Sequence, residues 1–181
     1  THAFHLSCFV SGLQPTEILA DLNHFVEGRL LDDNAHILLR FSGGAKGMLW
    51  VSQVAPGNEN GLRLRIYGSK AGLEWSQENP NYLKFSPLGE PSKILGRGSP
   101  ELAESAAKVT RTPPGHPEGY IECFANIYSE IAQAIYAARE GKPVPQDVLF
   151  PDLDDGIAGM IFIDAALKSS RNDGKWVLLN N

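Results

Sequence analysis

From Lys46 to Val54 the chain changes face at every residue: Met48, Trp50, Ser52 and Val54 lie on one side, Leu49, Val51 and Gln53 on the other. A side-chain period of two belongs to a β-strand with two different faces, not to a helix. The period returns where Leu62, Leu64 and Ile66 alternate with Arg63, Arg65 and Tyr67. Further strand-like runs fill Thr16 to Val26, Asn34 to Phe41, Leu73 to Trp75 and Tyr82 to Phe85. Turn residues separate them at Ser42-Gly43-Gly44, Pro56 to Gly61, Gly68 to Gly72 and Asn79-Pro80-Asn81. Short strands at this spacing predict an antiparallel meander.

Helical signals flank the strands. Thr1 to Val10 is apolar with His2 and His5 interspersed; Gly12 breaks the helix and Pro15 opens an extended segment. Residues three apart share a helix face, so both imidazoles are expected to point the same way. Glu118 to Glu140 carries Ile121, Phe124, Tyr128, Ile131 and Ile135, an apolar stripe at helical spacing. Pro117 suits its first turn, and Gly141 and Pro143 stop it. Asp152 to Ser170 begins acidic and closes near Lys168 and Arg171, as the helix dipole prefers. Its Gly156 and Gly159 leave room for close approach of another element.

Gly89 to Pro114 is rich in Gly, Pro and Ser and reads as an extended connection or lid, with a short helix at Glu101 to Val109. Trp176 to Leu179 is a last strand. This order predicts an α+β fold: an open-faced, largely antiparallel (mixed) β-sheet with helices packed on one face. Trp50, Tyr67, Trp75 and Tyr82 supply an open face, for which a dimer interface or a neighbouring domain is the natural cover.

Composition narrows the function classes. A chain of 181 residues, 43% hydrophobic and 20% charged, with a net charge of -5, is an ordinary globular domain. Its 16 Lys and Arg are scattered, which argues against a nucleic-acid partner. No apolar run has the length of a membrane span. Cys8 and Cys123 sit in apolar surroundings without metal-ligand spacing and read as buried free thiols, fitting a reducing, cytoplasmic compartment. The chain starts at Thr1 in what reads as mid-helix, without a charged signal-peptide region; an excised domain is the simplest expectation.

Chemistry-bearing motifs are few. There is no GxGxxG between strand and helix, no P-loop, no HExxH and no GxSxG, so neither a cofactor nor a metal site is expected in this chain. Gly43 to Gly47 and Gly68 to Gly72 read as hairpin turns. His24 and His36 fall in strand-like runs and read as structural. His2 and His5 are either a packed core pair or a site. His116 belongs to Arg111 to Tyr128, RTPPGHPEGYIECFANIY, where a proline–glycine entry meets a helix start. It is either a capping position or a group aimed at a ligand, with Glu118 and Tyr120 nearby. Asn58-Glu59-Asn60 suits a hydroxyl-rich ligand or a plain turn, and Asp154-Asp155 reads as a helix start. A histidine titrates near neutrality and can take a hydroxyl proton as general base.

Four pieces in order, THAFHL, SQVAPGNENGLRLRIYGSKAGLEW, GHPEGYIECFANIY and FPDLDDGIAGMIFIDAALKSS followed by KWV, make the whole chain resemble the C-terminal domain of the Gfo/Idh/MocA oxidoreductases. The resemblance implies a substrate-binding and oligomerisation domain, residues 1–181, of an NAD(P)-dependent sugar or cyclitol dehydrogenase. It implies that NAD or NADP is bound mainly by an N-terminal Rossmann domain outside this chain. His2 matches the histidine of the family's Asp-x-x-x-His motif and is implied as the proton-transfer residue. The motif aspartate would precede Thr1, and the isolated chain is expected to be inactive. His5, Asn58, Asn60, His116 and Tyr120 match or adjoin substrate-side positions. The resemblance also implies a homo-oligomer, dimer or tetramer, through the open sheet face. Two other readings stand beside it: a non-catalytic sugar-binding or assembly module of the same family, and a free-standing hydrolase using His116 and Glu118.

Overall fold

A computed structural model describes residues Thr1–Leu179. In chain order the elements are α1 (His2–Ser11), β1 (Pro15–Asn23), β2 (Asn34–Phe41), β3 (Lys46–Ser52), β4 (Arg63–Tyr67), β5 (Ala71–Ser76), β6 (Tyr82–Pro87), β7 (Lys93–Gly96), α2 (Glu104–Lys108), α3 (Tyr120–Arg139), α4 (Leu153–Arg171) and β8 (Val177–Leu178). The α+β class holds and every strand pairing is antiparallel, but the strands divide into two four-stranded sheets, β3-β2-β1-β8 and β4-β5-β6-β7. The chain correspondingly forms two compact units, Thr1–Glu59 with Asp152–Asn181, and Asn60–Pro151.

In the first unit the period of two is clean in β2, from Ala35 to Leu39, and fails in β3 at Val51, which is exposed like Trp50 before it. Ile18 and Ala20 of β1 and Ala35, Ile37 and Leu39 of β2 point inward and are buried. They meet Phe4 and Cys8 of α1 and Phe162, Ala165 and Ala166 of α4 in one apolar cluster. Phe4 and Phe162 stack with ring centroids 4.2 Å apart. The opposite face of this sheet carries Leu38, Met48 and Trp50, all exposed. Two serines of α4 complete the β1 ladder where β8 runs out. Ser169 Oγ accepts the Ala20 N–H at 2.8 Å and donates to the Lys175 carbonyl at 2.6 Å, and Ser170 Oγ accepts the Leu22 N–H at 3.1 Å. Gly159 is buried with its Cα facing Thr1, so a Cβ there would touch the Thr1 methyl at 3.5 Å, whereas Gly156 faces open space.

The 24–33 loop is organised by one carboxylate. Asp33 is buried and accepts the Phe25 and Val26 N–H groups at 2.9 and 3.1 Å and the Arg29 guanidinium at 3.2 Å. Those contacts, the Phe25 amide first, hold its pKa below the ordinary value. His24 follows β1 and is exposed. His36 sits on the outward face of β2, with its ring parallel to Trp50, 6.2 Å away.

In the second unit β4 to β7 form consecutive hairpins. The Gly68 N–H donates to the Ala71 carbonyl at 2.9 Å, closing the expected β4–β5 turn. Tyr67 lies across Gly72, its register partner, where a Cβ would come within 2.9 Å of the ring. The strand β7 lies inside the segment that composition marks as a connection; its four residues carry too little alternation to read. Tyr67 and Tyr82 are exposed and Trp75 is half-buried, its indole N–H donating to the Pro80 carbonyl at 3.2 Å. The expected aromatic face is therefore shared between two sheets, with only Trp50 on the first.

Helix α3 departs most from expectation. It begins at Tyr120, not Glu118, and Pro117 lies before it. Its N-terminus is closed by Glu122, whose Oε2 accepts the Gly119 N–H at 2.9 Å; that bond lowers the Glu122 pKa. The stripe expected to pack is exposed at Ile121, Phe124, Tyr128 and Ile135, and the one buried residue is Glu130. Cys123 is exposed on the same helix, correcting the expectation of a buried thiol, while Cys8 is buried as expected. Burial raises the Cys8 thiol pKa. Among the described residues no helix is long and apolar enough to cross a membrane.

Candidate active site

Three of the sequence-derived site residues lie in the first unit. His2 occupies the first position of α1 and is exposed. The His5 N–H donates to the Thr1 carbonyl at 2.9 Å, which starts the helix, and the His5 side chain is half-buried. Its Nε2 stands 3.5 Å from Asp155 Oδ1, an ion-pair distance rather than a short hydrogen bond. Asp155 is itself held: its Oδ2 accepts the Asp152 N–H at 3.0 Å, while Asp152 Oδ1 accepts the Asp154 and Asp155 N–H groups. This reciprocal box fixes the N-terminus of α4 and leaves one Asp155 oxygen for His5. A carboxylate beside an imidazole selects its tautomer and orientation. Asp154 and Asp155 thus start α4 as expected, and Asp155 in addition stands beside His5. Asn58 is exposed, and its amide donates to the Ala55 carbonyl at 3.3 Å, a turn bond.

The other three lie in the second unit. Asn60 is exposed, and its N–H donates to Glu78 Oε1 at 3.3 Å. Tyr120 is 72% exposed and meets Phe124 edge-on at 5.1 Å. His116 is exposed in a turn closed by its own N–H and the Pro113 carbonyl, four residues before α3; it does not cap the helix. It borders an open recess of about 390 Å³ whose polar walls are Asn79, Asn81, Tyr82, Arg97 and Ser99.

Glu118 is not free to act with His116. It is buried, its Oε1 accepts the Arg111 and Thr112 N–H groups, and Arg97 Nη1 stands 3.4 Å from it. This carboxylate is committed to backbone and to Arg97 through Oε1, and its side chain is only 5% exposed, which argues against the hydrolase reading.

The residues present do not make a nicotinamide dinucleotide cradle. Such a cradle needs glycine-rich backbone leading from a strand into a helix N-terminus. Here Ser42–Gly44 joins antiparallel β2 to β3, and Gly68 opens the turn from β4 to β5. The α4 N-terminus already carries Asp152, Asp154 and Asp155, and that of α3 carries Glu122. Among the described residues no group of three His, Cys, Asp or Glu side chains could hold a metal ion.

Residues 1–74, which include α1 and its two histidines, match the family model of the GFO/IDH/MocA C-terminal domain, and the chain belongs to that family. It is 37% identical over 98% of its length to the uncharacterised oxidoreductase YfiI of Bacillus subtilis (strain 168), of which it covers 46%. Among solved structures it is similar to an oxidoreductase from Sinorhizobium meliloti, at 56% identity and a TM-score of 0.92, covering 97% of this chain and 50% of that one. It is also similar to an inositol dehydrogenase homologue from Azotobacter vinelandii complexed with NADH and myo-inositol, at 33% identity and a TM-score of 0.93, covering 98% and 48%. The chain spans about half the length of these relatives.

Proposed function

We propose that this chain is the substrate-binding and oligomerisation half of an NAD(P)-dependent sugar or cyclitol dehydrogenase. The observation that carries the reading is the match, over nearly the whole chain, to an inositol dehydrogenase homologue with NADH and myo-inositol bound. The nicotinamide is held mainly by a nucleotide-binding domain outside residues 1–181, a reading supported by relatives about twice the length of this chain, one of them complexed with NADH. This chain contributes the proton side of the reaction. His2, exposed at the start of α1, accepts the proton of the reacting hydroxyl, a general-base role worth roughly 10²–10⁴-fold. In the first unit His5, oriented by Asp155, and Asn58 offer donors and acceptors suited to hydroxyls; in the second unit Asn60, His116 and Tyr120 each offer the same. The exposed Leu38, Met48 and Trp50 supply an apolar face for assembly of a dimer or tetramer, and the protein works in the cytoplasm.

The test uses full-length protein, a panel of cyclitols and aldoses including myo-inositol, and both NAD and NADP. His2→Ala is expected to lower kcat by at least about 10²-fold while nicotinamide binding stays unchanged. Unchanged turnover in this variant rejects the assignment. No polyol turnover by the parent protein, with polyol binding retained, moves the chain to the sugar-binding reading.

A further inference from the structure

The loop that carries His116 is held by a charged clamp that the proposed chemistry does not use. Arg97, immediately after β7, spends its guanidinium on that loop. Nε donates to Asn81 Oδ1 at 2.8 Å, Nη1 to the Thr112 carbonyl at 2.9 Å, and Nη2 to Thr112 Oγ1 at 3.1 Å. Nη2 also donates to the His116 carbonyl, which takes a second bond from Thr112 Oγ1 at 3.0 Å. From the other side Glu118 gathers the Arg111 and Thr112 N–H groups. Asn81 then grips the Glu118 backbone twice, accepting its N–H at 3.1 Å and donating to its carbonyl at 3.0 Å. The Arg97 and Glu118 side chains are 16% and 5% exposed.

This network grips the backbone on both sides of His116 and leaves the imidazole exposed. Pro113, Pro114 and Pro117 remove further freedom, and Gly115 takes the left-handed turn with φ 85°. A buried ion pair is a poor source of net stability and serves better to specify one arrangement. A guanidinium can do this because its donors form a rigid fork; an ammonium, as a point charge, cannot reach all these acceptors at once. We propose that Arg97, backed by Glu118, is a positioning residue: by holding the His116 carbonyl it fixes where the imidazole meets a polyhydroxyl substrate. This inference rests on the dehydrogenase reading and on His116 as a substrate-facing group.

Arg97→Lys keeps a positive charge beside Glu118, and so the fold, but cannot rebuild the clamp. In full-length protein, with the panel polyol of highest kcat/KM, this variant is expected to raise the polyol KM roughly tenfold, with kcat and the nicotinamide KM within about twofold. Hydrogen exchange at Arg111 and Thr112 is expected to rise, and exchange in β1 and β2 to stay as it was. His116→Ala alone is expected to raise the polyol KM similarly, and adding Arg97→Lys to it to change nothing more. Multiplying effects in the double variant overturn the positioning role, as does faster exchange with an unaltered KM. A His116→Ala protein with normal polyol KM overturns it too, while the loss of turnover in His2→Ala continues to stand or fall separately.

Discussion

The two units of this chain are held by different physics. The first buries ten apolar residues from two helices and two strands against each other. The second has Val148 as its one buried hydrophobic residue among those described, and its other buried residues are Glu118 and Glu130. Each carboxylate there gathers backbone amides: Glu118 those of Arg111 and Thr112, Glu130 that of Leu149. Lys108 joins the second set, bonding Asp147 at 2.8 Å and standing 3.7 Å from Glu130. Apolar packing is non-directional and sums over area, whereas these contacts are directional and few. A unit built in the second way holds loops in one geometry without a large core, which suits a segment that presents His116 and Tyr120.

The sharpest way to break the contrast is to cut the core. Phe162→Ala removes a ring that is 6% exposed and stacked on Phe4. It is expected to cost about 3–5 kcal/mol in denaturant unfolding of the intact protein. Tyr128→Ala on α3, where the ring is 67% exposed, is expected to change stability by no more than about 0.5 kcal/mol. Equal losses at the two sites would erase the distinction between the units.

That contrast also explains what was legible in the sequence. The period of two was legible at Lys46 to Val54 and Leu62 to Tyr67, because a two-faced strand writes its faces into its own period; Ile18-Leu19-Ala20 and Ile37-Leu38-Leu39 are continuous apolar runs, and which of their residues are buried is set by the sheet. The turn at Ser42–Gly44 was readable because Gly43 and Gly44 take positive φ, a conformation that favours glycine. Pairing was less so: a period of two says which face is covered, not which strand lies alongside, so one meander and two sheets look the same. The stripe on α3 misled because periodicity reports an apolar face, not whether anything in the chain covers it. At the candidate site, the histidines and Tyr120 could be singled out as residue types. Their supports, Asp155 for His5 and Arg97 for His116, could not, since 150 and 19 positions separate the partners and no local rule relates them.

A smaller effect is expected on the charged side of the comparison. Glu130→Leu is close in bulk but leaves the Leu149 N–H without its acceptor, at a cost of about 1–3 kcal/mol. Glu130→Gln keeps an acceptor there and should recover most of the loss, which a merely steric role would not require. Hydrogen exchange read by segment locates the change: faster exchange confined to residues between Asn60 and Pro151 supports the division, and faster exchange in β1 and β2 rejects it.

The smallest effect is expected from acid. Three carboxyls have folded pKa values below their ordinary ones: Asp33 through the Phe25 amide first, Glu122 through the Gly119 amide first, and Asp147 through its bond from Lys108 first. A depressed folded value means that each contribution is complete above the ordinary carboxyl range and is lost as pH falls through about 4 toward the lower folded value. Two of the three lie in the second unit, at the start of α3 and on the Lys108 latch. The third ties down the 24–33 loop and touches none of the apolar cluster. Between pH 6 and pH 3, roughly the span that protonates these groups, protection (exchange measured against the unfolded rate at the same pH) should therefore fall at residues 24–33, at the first turn of α3 and around Asp147. The amides of β1 and β2 should keep their protection over the same range, because no titrating group among these three holds them. Loss of protection in those two strands before the three carboxyl-held segments would mean that the first unit, too, depends on charge.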